Sequence, residues 1–412
     1  MGRYCKNQNC DEYKWSYMND RKVKQAVILA GGLGTRLKPF TDCAPKPMFP
    51  IQGVPFIEYL LKQIKRFGIN EVLILLGYMP EAIMDYLGDG EKYGIDIKYS
   101  VTSADNETAL RLKLAERELH EVFLLMYCDN YCPIDFDRLC REYCQNDAMI
   151  QISAYSNTDG YSRSNLKIAS NGRIEVYDKK RLDSDLQGVD IGYSIVNRKT
   201  VELLGKKNVN FEAEVFPLLV KEKKLYATVT DHRYYSIGSY ERIELTKKFF
   251  EGKKFVFLDR DGTINVKPPK AHYIERPEDF VWLPKAREAV KLLKDKGYFI
   301  ILVTNQAGIA RKVITEETLS HIHSKMQADL KEIGACIDKI YVCPHDWDEG
   351  CSCRKPKPGM LFQAQKEFSL NLTECVLIGD DERDIAAGKA AGCITYKVDE
   401  HNDLYEIVKE IV

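Results

Sequence analysis

The chain has 412 residues, 45% of them hydrophobic and 29% charged, enough for two or three domains with ordinary cores. Its 60 basic and 61 acidic residues leave a net charge of −1. That balance leaves no global basic surplus for nucleic acid, and no long single-sign run marks a tail. No run approaches the ~18 apolar residues of a membrane span, and the polar extension 1–23 lacks the apolar core of a secretory signal. The 13 cysteines are then expected as thiols or metal ligands of a cytoplasmic protein. Cys5 and Cys10 read as surface thiols in preference to a metal pair.

An apolar run at 26–30 stops at Gly31-Gly32-Leu33-Gly34, as a buried parallel strand does when it enters a loop. A helix is predicted at about 56–67 and strands at 71–76 and 122–127. Residues 247–254 combine a helix end, one glycine and several lysines, a short linker with the boundary near 252. A second apolar run, 255–258, stops at Asp259-Arg260-Asp261-Gly262. After it come a predicted helix at 284–296, a strand at 298–303 and a helix at 316–333. Strands at 339–342, 375–378 and 394–398 follow. This alternation predicts an α/β protein of two Rossmann-like, three-layer α/β/α domains, 24–250 and 253–412.

In the first half, Gly31, Gly32 and Gly34 allow backbone N–H groups to approach phosphate, and Thr35 and Arg36 follow directly. The spacing is neither a dinucleotide fingerprint nor a Walker loop. Together LAGGLGTRLKPFT and PKPMFPI resemble the sugar-1-phosphate nucleotidyltransferases over about 25–245. The resemblance implies that Gly31, Gly32, Gly34 and Thr35 hold the nucleotide. It implies that Arg36 and Lys46 stabilise charge on the α-phosphate and that Asp129 binds Mg²⁺. Lys179, with Asp178 in place of the family's Glu, and Gly192 and Glu212 match sugar-site positions. The implied reaction is attack by a sugar phosphate on a nucleoside triphosphate, with release of pyrophosphate. Two positions depart from the pattern. The glycines expected near 103–110 are missing, and Ser236 stands where the second magnesium Asp belongs; a hydroxyl is a poor substitute for a carboxylate on Mg²⁺.

In the second half, Asp259 and Asp261 lie two residues apart at a strand end, so both project to one face. One carboxylate can attack phosphorus while the other serves as acid and then base. Paired acids beside a phosphate need a metal ion. Thr304 and Asn305 end the 298–303 run, Arg354 and Lys355 offer positive charge, and Asp380 ends another strand. Such strand ends meet at the carboxyl edge of a parallel sheet. The set resembles the haloacid dehalogenase superfamily over about 255–400. By that resemblance Asp259 is the nucleophile and Asp261 the acid/base. Thr304 and Lys355 bind phosphate, with Lys357 the alternative to Lys355, and Asp259, Asp261 and Asp380 hold Mg²⁺.

Cys343, His345, Cys351 and Cys353 form C-x-H-x5-C-x-C. Four such ligands close a tetrahedral, structural Zn²⁺ site that would pin the loop bearing Arg354 and Lys355. CPHDWDEGCSCRKPKPGM, with DRDGT and VTNQAGIAR, resembles the D-glycero-D-manno-heptose 1,7-bisphosphate 7-phosphatases. Histidinol-phosphate phosphatases share this loop and remain the alternative for this half alone. His272 and Tyr273 are candidates to touch a small substrate, and equally to be solvated loop. The two resemblances fit consecutive steps: the heptose bisphosphate loses its 7-phosphate, and the heptose 1-phosphate then accepts a nucleotide. By analogy the nucleotide is GTP and the sugar the α-anomer, giving a GDP-heptose for surface glycans. The alternative is a phosphatase whose first half binds nucleotide or a partner without transferring.

Overall fold

The computed structural model describes residues 23–269 and 272–412. Cys5, Cys10 and nearly all of the polar extension therefore lie outside the described residues. The chain divides into two compact units between Phe250 and Glu251.

The first unit is built on seven strands: β1 (Gln25–Ala30), β2 (Glu71–Leu76), β3 (Asp96–Val101), β4 (Val122–Tyr127), β5 (Ile150–Tyr155), β6 (Val189–Asn197) and β7 (Leu225–Thr230). Their order is β7-β5-β6-β4-β1-β2-β3. All run parallel except β6, which is antiparallel to both β4 and β5. Besides a single helical turn at Lys199–Glu202, the helices are α1 (Phe56–Arg66), α2 (Pro80–Leu87), α3 (Thr108–Leu114), α4 (Phe136–Gln145), α5 (Phe211–Lys221) and α6 (Tyr240–Phe249).

Every residue of β1 is buried, as expected of a central strand covered on both faces. Ala26, Ile28 and Ala30 face one core, with α1, α2, α4 and α6. Val27 and Leu29 face the other, with α3 and α5. The period of two along one strand thus feeds two layers of helix. Helix α1 buries Phe56, Ile57, Leu60, Leu61 and Ile64 along one stripe. It stops at Gly68, whose φ of 74° suits a glycine beyond a helix C-terminus. The predicted turn after β1 is a chain of single 3-10 turns, Thr35–Leu37, Phe40–Asp42 and Lys46–Met48.

The second unit has five strands, all parallel: β8 (Lys254–Leu258), β9 (Tyr298–Asn305), β10 (Lys339–Cys343), β11 (Val376–Gly379) and β12 (Ile394–Lys397). Their order is β10-β9-β8-β11-β12. Its helices are α7 (Ala286–Asp295), α8 (Glu316–Glu332), α9 (Gly359–Phe368), α10 (Glu382–Ala391) and α11 (Leu404–Ile411). Val256 and Leu258 pack under α7, α8 and α11. Phe255 and Phe257 pack under α9 and α10. Because β8 is central, its carboxyl end lies between the ends of β9 and β11. That placement gathers Asp259, Thr304 and Asp380 into one region.

Candidate active sites

In the second unit Asp259 continues β8, its N–H donating to Ile378 O at 2.9 Å. The chain then turns at Gly262, with φ 93°. A Cβ there would lie 2.5 Å from the Asp380 carboxyl carbon, so the turn requires glycine for both its conformation and its close approach. A cavity of about 520 Å³ opens over these strand ends. Asp259, Asp261, Thr304, Asn305, Arg354, Lys355 and Asp380 all line it, as do His272 and Tyr273.

Lys355 is the buried cation of the site. Its Nζ donates to Asp259 Oδ1 at 2.5 Å, to Val303 O at 2.8 Å and to Asp384 Oδ1 at 2.7 Å. Lys357 instead donates to Gly350 O and Cys351 O, away from these carboxylates. Asn305 holds the backbone of Lys355 from both sides, accepting from its N–H and donating to its carbonyl, each at 3.1 Å. Thr304 is buried, and its hydroxyl accepts from Gln306 Nε2 at 2.9 Å. Burial pushes the Asp259 carboxyl up to about 7, with Lys355 pulling the other way and Asp384 adding to the rise. Burial also opposes the charge on Lys355, but Asp259 and Asp384 outweigh it and raise its pKa. One ammonium therefore serves two carboxylates, while Lys267 Nζ donates to Asp380 Oδ2 at 2.6 Å and to Asp381 Oδ2 at 3.3 Å.

Carboxylate oxygens of Asp259, Asp380 and Asp384 lie within 4.8 Å of one another. Asp380 Oδ1 is buried without a hydrogen-bond partner, and burial raises the Asp380 pKa. Three converging hard oxygens with one unsatisfied suit Mg²⁺. Asp261, which the resemblance implies among the residues holding Mg²⁺, contributes no oxygen to this trio. Its oxygens accept from Arg260 Nε and Nη2 at 3.1 and 2.9 Å, and from Asn265 and Gln306 at 3.0 Å each. Burial works to raise the Asp261 carboxyl, but these donors, Arg260 first, hold it below its usual value. The third member of the trio, Asp384, comes from the first turn of α10. Its Oδ2 also accepts from the N–H of Asp381, closing a capping box at the helix start.

Beside the cavity, ligand atoms of Cys343, His345, Cys351 and Cys353 also lie within 4.8 Å of one another. Cys343 Sγ is 3.7 Å from Cys351 Sγ and 3.7 Å from His345 Nδ1, and Cys353 Sγ is 3.2 Å from Nδ1. A tetrahedron with Zn–S bonds of ~2.3 Å has edges of roughly 3.6–3.8 Å, so four ligands of this type and spacing fit Zn²⁺. Arg354 Nη1 donates to His345 O at 3.1 Å, tying the cavity's arginine to this loop.

In the first unit Lys46 Nζ meets Asp129 Oδ2 at 2.5 Å, and Lys46 is only 8% exposed. Gly34 packs on that lysine, its absent Cβ 3.0 Å from Lys46 Cβ, at φ 63°. Ser236 pairs with Asn130 in a two-stranded ladder, and Ile237 N–H donates to Asp129 O at 3.0 Å. The serine thus stands beside Asp129, but its Oγ accepts from Gly238 N–H at 2.9 Å. Gly31 is buried, while Gly32, Thr35 and Arg36 are exposed. Arg36 makes no ion pair with a described residue. Glu212 is buried and accepts from Tyr127 Oη. Gly192, at φ 78°, lies on the same ring, its absent Cβ 2.9 Å from Tyr127 Cδ2. Lys179 is exposed and is not drawn to them by any described ion pair. Asp178, beside Lys179, caps the turn that follows it. Its two oxygens accept four backbone N–H groups, of Lys180, Arg181, Leu182 and Asp183, at 2.6–3.0 Å.

A nucleotidyl transferase family model matches residues 25–238, just over half of the chain. The chain belongs to the nucleotidyl transferase family. A haloacid dehalogenase-like hydrolase model matches residues 193–392. Residues 193–250 pair and pack in the first unit, so the hydrolase fold proper begins at β8. The D-glycero-beta-D-manno-heptose-1,7-bisphosphate 7-phosphatase of Bordetella bronchiseptica is 36% identical over 149 residues, 36% of this chain and 82% of that protein. The D-glycero-alpha-D-manno-heptose-1,7-bisphosphate 7-phosphatase of Photorhabdus laumondii is 41% identical over 146 residues, 34% of this chain and 78% of that protein. The second unit therefore belongs with these phosphatases, and the transferase chain is a two-enzyme fusion. Among solved structures, the B. bronchiseptica D,D-heptose 1,7-bisphosphate phosphatase with magnesium and phosphate is 31% identical, covering 38% of this chain and 97% of that one, with a TM-score of 0.37. HddC from Yersinia pseudotuberculosis is 24% identical, covering 56% of this chain and all of that one, with a TM-score of 0.48.

Sequence reasoning misses two acids in this transferase–phosphatase. Asp384 lies four residues beyond Asp380, and an acid at the first turn of a helix reads as a cap; here it caps and also faces Lys355. Asp190 stands two residues before Gly192 and accepts its N–H at 3.0 Å. Burial pushes it up to about 7, with Glu212 adding to the rise. Its signal is the tripeptide Asp190-Ile191-Gly192, in which the acid adjoins the required glycine.

Proposed function

We propose that the chain removes the 7-phosphate of D-glycero-D-manno-heptose 1,7-bisphosphate and transfers a nucleotide, GMP from GTP, onto the resulting heptose 1-phosphate. The observation that carries the first step is the convergence of Lys355 on Asp259 and Asp384 at the floor of one cavity. Asp259 attacks phosphorus and forms an aspartyl phosphate. Lys355 and the Thr304 hydroxyl balance charge on the transferring group. Asp261 protonates the leaving sugar oxygen and then takes a proton from the attacking water. Arg260 favours the carboxylate form of Asp261, the form that takes a proton from the attacking water; to act first as an acid, Asp261 takes up a proton from solvent and passes it to the leaving oxygen. Asp259, Asp380 and Asp384 would hold Mg²⁺, which supplies the charge neutralisation that three carboxylates around a phosphate demand. Zn²⁺ at Cys343, His345, Cys351 and Cys353 would fix the loop of Arg354 and Lys355.

For the second step, the turn at Gly31–Thr35 would receive the nucleotide and Lys46 its α-phosphate, with Asp129 the ligand for Mg²⁺. Gly192 and Glu212 would face the sugar. Consecutive chemistry supports the pairing, since phosphatase action leaves the anomeric phosphate that a sugar-1-phosphate transferase requires. Relatives acting on either anomer support the heptose and leave both anomers to be assayed. No described helix is long and apolar enough to cross a membrane.

Ser236 favours a second reading, in which the first unit binds nucleotide without transferring it, because its hydroxyl is engaged by Gly238. Phosphate release from both heptose bisphosphate anomers and from histidinol phosphate tests the first step. Pyrophosphate release from GTP with heptose 1-phosphate tests the second. Turnover of histidinol phosphate alone would overturn the substrate, and no pyrophosphate above background would leave the non-transferring reading.

A further inference from the structure

Arg111, on α3, is only 3% exposed. Its Nη1 donates to Leu76 O and Thr102 Oγ1, each at 2.6 Å. Its Nη2 donates to Gly31 O at 3.0 Å, Ser103 O at 2.9 Å and Ala104 O at 3.1 Å. These acceptors lie at or just beyond the carboxyl ends of β1, β2 and β3, so one planar fork ties three neighbouring strand ends together. None of them is a carboxylate, and Glu107 acts on the guanidinium only through space. A guanidinium stays charged at neutral pH. Lined by carbonyl dipoles and paired with no acid, it keeps its positive charge uncancelled in a buried place.

The guanidinium lies directly against the glycine turn. A Cβ on Gly31 would be 2.2 Å from Arg111 Cζ, and one on Gly77 would be 2.5 Å from Nη1. These two glycines are small because the arginine occupies their side-chain space. Gly32, the next residue after Gly31, meets nothing with an added Cβ. The 103–110 stretch lacks the glycines its resemblance calls for. Arg111 holds the backbone of that stretch instead, with Asn208, which accepts from Glu107 N–H at 2.5 Å and donates to Asp105 O at 2.9 Å.

We propose that Arg111 is a positioning residue for nucleotide binding: it fixes the Gly31 turn against the 102–104 segment and holds a positive charge beneath the place where a nucleoside triphosphate's phosphates bind. This rests on reading that turn as the nucleotide site, whether or not transfer follows. Pinning the turn before binding removes an ordering cost from association, and the cation favours the polyanion from behind the backbone.

The test is calorimetric titration of the full chain, wild type, Arg111→Lys and Arg111→Gln, with GTP and magnesium. Lysine keeps the charge but cannot span three strand ends; glutamine loses both. The Kd is expected to rise about 3- to 10-fold in Arg111→Lys and at least about 30-fold in Arg111→Gln, with binding stoichiometry unchanged. A merely structural role would lower the stoichiometry and leave Kd alone, which would overturn the proposal. So would a Kd within twofold of wild type in both variants. If Arg111→Gln does not fold, the Arg111→Lys Kd decides by the same twofold criterion. Wild-type chain that binds no GTP would remove the nucleotide reading and this proposal together, whereas binding indifferent to Arg111 would remove the proposal alone.

Discussion

Lys355 and Asp259, 96 positions apart in the chain, meet through Nζ and Oδ1 at 2.5 Å at the floor of the phosphatase cavity. Neither is more than a tenth exposed at its side chain. The expected nucleophile is therefore held by a cation it shares with Asp384, and this sharing links chemistry to stability.

Asp259→Asn removes the nucleophile and keeps the shape of the side chain. Phosphate release from the heptose bisphosphate is expected to fall at least about 10³-fold. Circular dichroism and GTP binding should be unchanged. Retention of a tenth of wild-type turnover would rule out Asp259 as the attacking group.

Lys355→Met leaves Asp259 and Asp384 facing each other without a cation. Breaking a buried pair at one end costs about 3–5 kcal/mol. The unfolding transition of the second unit should fall accordingly in a denaturant titration. Adding Asp384→Asn to Lys355→Met should restore part of that loss, because one uncompensated charge goes with it. A double variant no more stable than the single one would show that the two residues are not coupled.

Cys351→Ser should take bound zinc toward zero by metal analysis. Phosphatase turnover is expected to drop about 10- to 100-fold, by loosening Arg354 and Lys355. GTP binding should not move, since the cluster lies wholly in the second unit. Full zinc content in the variant would dismiss the site.

His232 gives a pH dependence in the first unit. It is 1% exposed, its Nδ1 lies 2.7 Å from Arg233 O, and burial lowers its pKa to about 4, below the usual 6.5. The unfolded chain therefore binds a proton that the folded one refuses. Its contribution is complete above pH 6.5 and is lost as the pH falls toward 4, on the order of 3 kcal/mol over the window. His232→Asn should flatten that part of the stability–pH curve in urea titrations at pH 7, 6 and 5. An unchanged slope would exclude His232 as its source.

Much of the fold was legible because buried parallel strands are unbroken apolar runs. The runs at 26–30, 71–76, 122–127 and 255–258 became β1, β2, β4 and β8 within a residue or two. The strands at 150–155, 189–197 and 225–230 carried no phosphate-loop signal. One of them, β6, runs antiparallel and so breaks the strand–helix alternation that guides such reading.

The sequence alone determined which chemistries meet in this chain. An Asp-x-Asp at the end of an apolar run, a C-x-H-x5-C-x-C loop and a glycine turn are local patterns, legible because backbone geometry fixes how residues a few positions apart project. Tertiary structure alone decided which carboxylates share a cation, that Asp384 joins Asp380 while Asp261 turns to Arg260, and that Asp178 closes a turn. It also decided that Arg111 lies under Gly31. Those outcomes depend on distances between residues far apart in the chain, set by strand order and packing, and a side chain's partners depend on what burial leaves within reach.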